Sequence, residues 1–221
     1  MTRPFRRIGA PCMGPVPSKP GAKWRKGTAV DMEPGILPKY KVIIVGGASV
    51  GKSSIFARLM RNEFNQVPES SVGVNIGMKS IQLEGHPPVV VELWDVPSIP
   101  GQDKSSQRLY FDGCHGVLFI YSSADAASLK HVRSYHAALG EVYPNETAPL
   151  PSILVKNKSD GVDQPSTDID DCMWLEAWPS DQCALSAKLN HGVFPALRLL
   201  LAHIVGPSAS SPSPLPPLSS S

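Results

Sequence analysis

Apolar residues along this chain fall into short dense runs, separated by stretches with helical spacing. Lys41-Val42-Ile43-Ile44-Val45 is continuous enough for a strand buried on both faces. A glycine-rich turn divides it from Ser53-Ser54-Ile55-Phe56-Ala57-Arg58-Leu59-Met60, which reads as a helix. Residues 72–83 and 89–94 flank Gly85-His86-Pro87-Pro88 and predict a hairpin. Residues 116–121 give another buried strand, and a helix is expected over about 126–143. The pattern continues with a strand at 152–155, a weaker helix at 169–178, a last strand at 182–186 and a last helix at 193–205. Strands alternating with helices imply an α/β fold, with a mostly parallel six-stranded sheet covered by helices on both faces.

The two ends lack either period. Residues 1–39 contain seven prolines and scattered basic side chains, and residues 206–221 hold five prolines and seven serines. Both are expected to be disordered, which assigns the folded body to residues 40–205. Charge sharpens this division. Residues 1–30 carry seven Lys/Arg and no acid, whereas the rest carry 14 bases and 19 acids, so a basic arm precedes a mildly acidic body. No run is long and apolar enough for a membrane-spanning helix, and Pro4, Arg6 and Arg7 interrupt any secretory core. Cys12, Cys114, Cys172 and Cys183 form no CxxC pair, as expected of reduced thiols in the cytosol.

Gly46-Gly47-Ala48-Ser49-Val50-Gly51-Lys52-Ser53 matches G-x-x-x-x-G-K-[ST] and lies between the first strand and the first helix, the context this motif requires. Backbone N–H groups of Gly46, Ala48, Ser49, Val50 and Gly51 would curl around phosphate oxygens, aided by the positive end of the following helix. Lys52 would reach the β- and γ-phosphates and Ser53 would bind Mg²⁺, with Ser54 beside it in the first helical turn. The bland alternative, a glycine-rich turn that happens to contain Lys-Ser, does not account for that context. The fifth strand runs into Asn157-Lys158-Ser159-Asp160. An aspartate there accepts two hydrogen bonds from guanine N1–H and its 2-amino group, and adenine offers no such donors. The stem of Lys158 can cover one face of the base, and Ser186-Ala187-Lys188 can place a backbone N–H near guanine O6.

With these motifs in this order, the chain resembles the Ras superfamily of small GTPases, most closely the Rab branch, over about residues 40–205. The resemblance implies that Phe64, twelve residues after Lys52, stacks on guanine, although alone it would read as core. It implies that Ser71, nineteen after Lys52, closes over Mg²⁺ and the γ-phosphate within the switch I stretch Ser70-Ser71-Val72-Gly73-Val74-Asn75. Asp95 would hold Mg²⁺ through a water. The family follows that aspartate with x-x-Gly-Gln, whereas this chain has Ser98-Ile99 in register and Gly101-Gln102 three residues later.

Two alignments stay open. Either Gly101 meets the γ-phosphate and Gln102 orients the attacking water while residues 97–100 bulge outward, or Ser98 and Ile99 replace the pair. Pro97 and Pro100 stiffen the segment, and the Ala48 methyl would crowd a catalytic glutamine. The expectation is therefore a guanine-nucleotide switch binding GTP or GDP with Mg²⁺, with Lys52 and Gln102 as its catalytic pair. It would hydrolyse GTP slowly, in Rab-like signalling or vesicle trafficking. The alternative is a hydrolysis-deficient scaffold.

Expected partners are effectors, an exchange factor and an activating protein, and no nucleic acid. With no cysteine after Cys183, prenylation is not expected, nor is myristoylation with Thr2 at the second position. The chain is expected to be cytoplasmic, with weak peripheral membrane contact through the basic arm as one reading and a solvated tail as the other.

Overall fold

Val42, Ile43, Ile44 and Val45 are at most 1% exposed, and they form the middle of strand β1 (Lys39–Gly46). The computed structural model describes residues 37–66, 73–98, 109–143, 150–161, 169–178 and 180–206; residues 1–36 of the basic arm and 207–221 of the Pro/Ser-rich tail lie outside the described residues, while Lys39, expected in the arm, already opens β1. β1 is buried on both faces because it is central in the sheet. It pairs in parallel with β3 (Val89–Asp95) on one side and β4 (Gly116–Ser122) on the other. β2 (Asn75–Ile81) runs antiparallel to β3, and β5 (Ser152–Asn157) and β6 (Asp181–Ala184) extend the sheet beyond β4. The order is β2-β3-β1-β4-β5-β6, a six-stranded sheet that is parallel except for β2.

Side-chain alternation along β1 divides the core into two layers. Val42 and Ile44 face helices α1 (Lys52–Arg61) and α4 (Val193–Val205), meeting Ile55, Leu59, Leu197 and Leu200. Ile43 and Val45 face α2 (Ser128–Val142), together with Phe119, Leu129, Val132 and Trp178. Trp174 of α3 (Ile169–Glu176) packs at the edge of that second layer. Helices therefore cover both faces, as the alternating pattern requires.

Several boundaries differ from expectation by a few residues, two of them for identifiable reasons. The helix expected from about residue 126 begins at Ser128, because the chain before it is held in a turn. There Asp125 Oδ1 accepts from the Ala127 N–H (3.0 Å), and the Ser128 hydroxyl donates to the Asp125 carbonyl (2.5 Å). The strand expected at 182–186 stops at Ala184. Ser186 instead exchanges backbone hydrogen bonds with His191 (2.9 and 3.0 Å) and turns its hydroxyl toward Asp160.

β1, β3, β4 and β5 all run the same way, so Gly46, Asp95, Ser122 and Asn157 end at one edge of the sheet. The chain leaves β1 toward β3 on one side and returns to β4 on the other. Such a reversal opens a crevice at the carboxyl edge.

Phe119 is fully buried, with its ring edge-on to Trp178 (centroids 5.4 Å apart) and to His136 (5.9 Å). Phe119→Ala is expected to cost about 3–5 kcal/mol in urea unfolding with nucleotide concentration held fixed. A loss below about 1 kcal/mol would mean that this layer repacks around the vacancy.

Candidate functional site

β1 ends at Gly46, directly beside Ile120 of β4. A Cβ on Gly46 would lie 2.1 Å from the Ile120 carbonyl oxygen, so only glycine fits. The loop then takes a left-handed step at Ser49 (φ 57°) and another at Gly51 (φ 95°) before α1 begins. A Cβ on Gly51 would stand 2.3 Å from the Asn157 side-chain nitrogen. That close approach is what lets the loop and the end of β5 touch.

Lys52 opens α1 and folds back under the loop. Its ammonium donates to the carbonyls of Gly47 (2.7 Å) and Gly46 (3.1 Å), and the residue is 7% exposed. Burial pulls its pKa down to about 8, opposed by the negative charge of Asp95. Asp95 closes β3 with no exposed surface. Its Oδ2 accepts from the Asn75 side-chain amide (3.1 Å), and its Oδ1 has no hydrogen-bond partner among the described residues. A buried carboxylate oxygen left bare is costly, so a cation or an ordered water belongs there. Ser53 is half-buried in the first turn of α1. A hydroxyl and a carboxylate are hard oxygen donors of the kind Mg²⁺ takes alongside substrate phosphates. Among the described residues no cluster of three or more His, Cys, Asp or Glu makes a self-contained metal cage. This donor set fits a metal shared with a phosphate chain.

The second half of the site is built at the ends of β5 and β6. Asn157 is 2% exposed; its amide donates to the Val50 carbonyl (2.8 Å), and its oxygen accepts from the Ala187 N–H (3.2 Å). One side chain thus bonds the phosphate loop to the loop after β6. Lys158 adopts a left-handed conformation (φ 63°), and the Ser123 hydroxyl donates to its carbonyl (2.5 Å). Asp160 Oδ1 accepts from the Ser186 hydroxyl (2.6 Å), while the Lys188 ammonium stands 3.9 Å from Oδ2. The Ser186 hydroxyl bond, with smaller help from Lys188 and Lys158, holds the Asp160 carboxyl below its ordinary range. It is therefore an ionised acceptor at neutral pH. Two N–H groups of the Ser186-Ala187-Lys188 loop are engaged within the protein, Ser186's by His191 and Ala187's by Asn157.

Phe64 is half-buried just beyond α1, with the Arg58 guanidinium 5.5 Å from its ring centre. Ala48 and Ser49 are exposed at the crest of the loop, and Ser54 is half-buried beside Ser53. Ser71, Gly101 and Gln102 lie outside the described residues. Of the segment on which the two alignments differ, Pro97 and Ser98 are described, while Ile99 and Pro100 lie outside the described residues with Gly101 and Gln102. The Val96 N–H donates to the Ile44 carbonyl (3.2 Å), Val96 and Pro97 are buried, and Ser98 hydrogen-bonds the Tyr135 hydroxyl on α2. Val96 thus continues the pairing of β3 with β1 by one residue.

Asn75, Ser123 and Arg58 were not singled out by sequence reasoning. Asn75 was within reach: counting both strands outward from the turn at Gly85 sets Ile81 opposite Val89 and Asn75 opposite Asp95. Ser123 and Arg58 act on backbone carbonyls distant in sequence, which no local pattern displays.

The sequence profile of the Ras family matches residues 41–205. The chain is similar to Ras-related protein RabC of Dictyostelium discoideum, at 33% identity over 177 residues, covering 78% of this chain and 86% of that one. It is also similar to Ras-related protein rab-11.1 of Caenorhabditis elegans (30% over 153 residues, 68% and 64% covered). A further relative is Ras-related protein Rab-11A of D. discoideum (33% over 123 residues, 55% and 54%). The chain belongs to the Ras family, as a Rab-like small GTP-binding protein.

Lys52 links the site to pH. Between about pH 8, where the buried group titrates, and about 10.4, where a free lysine does, the unfolded chain holds more protons than the empty folded protein. The destabilisation from burying this charge is therefore full below about pH 8 and lessens as pH rises through that window. A phosphate chain at the ammonium favours the charged form, so nucleotide binding above about pH 8 should take up a proton. Affinity should fall by up to about tenfold per pH unit there, with proton uptake seen by titration calorimetry in buffers of unlike ionisation heat. A flat affinity with no proton uptake would show that Lys52 stays charged in the empty protein.

Proposed function

We propose that this chain is a guanine-nucleotide switch that holds GTP or GDP together with Mg²⁺ and hydrolyses GTP slowly. The observation that carries the reading is the pair of hydrogen bonds by which Asn157 donates to the Val50 carbonyl and accepts from the Ala187 N–H. It joins a phosphate-binding loop and a guanine-type acceptor, Asp160, into one site. In this reading the backbone of residues 46–51 and the ammonium of Lys52 bind the phosphates, with Ser54 alongside. Lys52 leaves its two loop carbonyls for the β- and γ-phosphate oxygens. Asp160 accepts from guanine N1–H and the 2-amino group, Lys158 and Phe64 cover the base faces, and the Ser186-Ala187-Lys188 loop faces O6. Ser53 and Asp95 would hold Mg²⁺, which neutralises charge on the phosphate oxygens when bound. Ser71, Gly101 and Gln102 enter on the resemblance alone, as the switch hydroxyl, the γ-phosphate donor and the water-orienting residue.

The slow rate follows from the approach to the second switch. Pro97 is buried and Ser98 hydrogen-bonds Tyr135, and Pro97 and Pro100 stiffen the sequence that leads to Gly101 and Gln102. The same observation favours a second reading, a nucleotide-bound scaffold that does not hydrolyse. In either case residues 40–205 are the nucleotide-binding domain, acting with effectors, an exchange factor and, for the hydrolysing switch, an activating protein. The basic arm offers only weak attraction to anionic membrane. Among the described residues no helix is long and apolar enough to cross a membrane.

Two measurements separate the readings. In single-turnover hydrolysis of bound GTP, the wild type is expected to turn over slowly and Gln102→Leu to be slower still. An equal rate in both removes Gln102 from the mechanism, and no turnover with any activator establishes the scaffold. For the base, Asp160→Asn is expected to shift preference from guanine to xanthine nucleotides, since an amide donates where the carboxylate accepted. Unchanged selectivity in competition binding would remove Asp160 from base recognition.

A further inference from the structure

Arg58 lies on α1, remote in sequence from every motif of the base site, yet its guanidinium bonds directly to that site's backbone. Nε donates to the Ala187 carbonyl (2.8 Å) and one terminal nitrogen to the Lys188 carbonyl (2.9 Å). The other terminal nitrogen donates to the Asn62 carbonyl (2.9 Å) at the end of its own helix, and the same cation lies 5.5 Å from the centre of the Phe64 ring. A second tie runs in parallel, from the Asn190 amide to Asn62 Oδ1 (2.8 Å). Both asparagines hold left-handed backbone (φ 59° and 54°), so each end of this tie is a fixed turn.

We infer that Arg58 is the positioning residue of the guanine pocket: it clamps the Ala187 and Lys188 peptide groups from behind while bracing Phe64, and so sets how long the base stays bound. The inference rests on the guanine-nucleotide reading above and adds a residue to it. Each clamped carbonyl fixes the plane of a peptide unit in the loop that faces O6. The Ala187 N–H is already committed to Asn157, so the loop is restrained from both sides. Because α1 begins at the phosphate loop and ends at this clamp, Arg58 also makes the helix a rigid strut between the two halves of the ligand. A guanidinium suits the task, since its planar fork serves two neighbouring carbonyls at once while a lysine ammonium offers a single point.

The test uses the full-length chain loaded with fluorescent GDP and chased with excess GDP, for wild type, Arg58→Ala and Arg58→Lys. In parallel, competition binding compares GDP with 2-aminopurine riboside diphosphate, which keeps the 2-amino group and lacks O6 and, with it, the N1 proton; Asp160 is the same in every variant, so a change in preference between variants reads the O6 side. Arg58→Ala is expected to release GDP about tenfold faster or more and to narrow the preference for GDP over the analogue. Arg58→Lys should fall between, and it keeps the charge if the alanine variant folds poorly. Loss of affinity for both nucleotides in equal proportion, or an unchanged release rate, would overturn the clamp and leave Arg58 a packing residue. If the wild type binds no guanine nucleotide, the proposed function falls first and takes the clamp with it.

Discussion

The site depends on one amide. Asn157 ends β5, is buried, and spends both polar atoms on backbone groups of two different loops, Val50 and Ala187. Neither loop lies within a strand or helix, so neither has a ladder of its own to hold it in place. A neutral side chain with one donor end and one acceptor end is the simplest group that can bridge a carbonyl and an N–H. Aspartate would set a charge against the Val50 carbonyl, and a longer residue would overrun the gap that Gly51 leaves open. The absent side chain at Gly51 and the present one at Asn157 are two parts of one contact.

Around that bridge the protein keeps two carboxylates in opposite circumstances. Asp95 is fully buried and half satisfied, with one oxygen bonded to Asn75 and the other without a partner among the described residues. Asp160 is bonded by a serine hydroxyl and flanked by lysines, which favour its charged form. The first arrangement suits a cation brought by the ligand, and the second suits recognition of N–H donors on a base. Lys52 belongs with the first: burial discourages its charge while Asp95 supports it.

Much of this was legible in the sequence because it is local. A run such as Val42-Ile43-Ile44-Val45 can hardly be anything but a doubly covered strand, and a glycine-rich turn ending in Lys-Ser between strand and helix has a known use. The place of Phe64, twelve residues after Lys52, came from the family resemblance and not from the local pattern. What stayed hidden is carried by long-range contacts with carbonyls. Arg58 reads as an exposed-face helix residue until α1 is packed beside the loop after β6, 129 residues further on. The course of Val96-Pro97-Ser98 was hidden for a different reason. Two prolines suggest a stiff segment but not its direction, and direction was set by the bond to Ile44 and the contact with Tyr135.

The posture of Lys52 keeps a buried cation satisfied from within its own loop. Its ammonium sits on the Gly46 and Gly47 carbonyls, so two of its three donors have oxygen partners supplied by the backbone. A phosphate oxygen that reaches it exchanges one acceptor for another, and what it adds is a full negative charge in place of a carbonyl dipole. The loop that would cradle the phosphates thus also supplies their stand-ins.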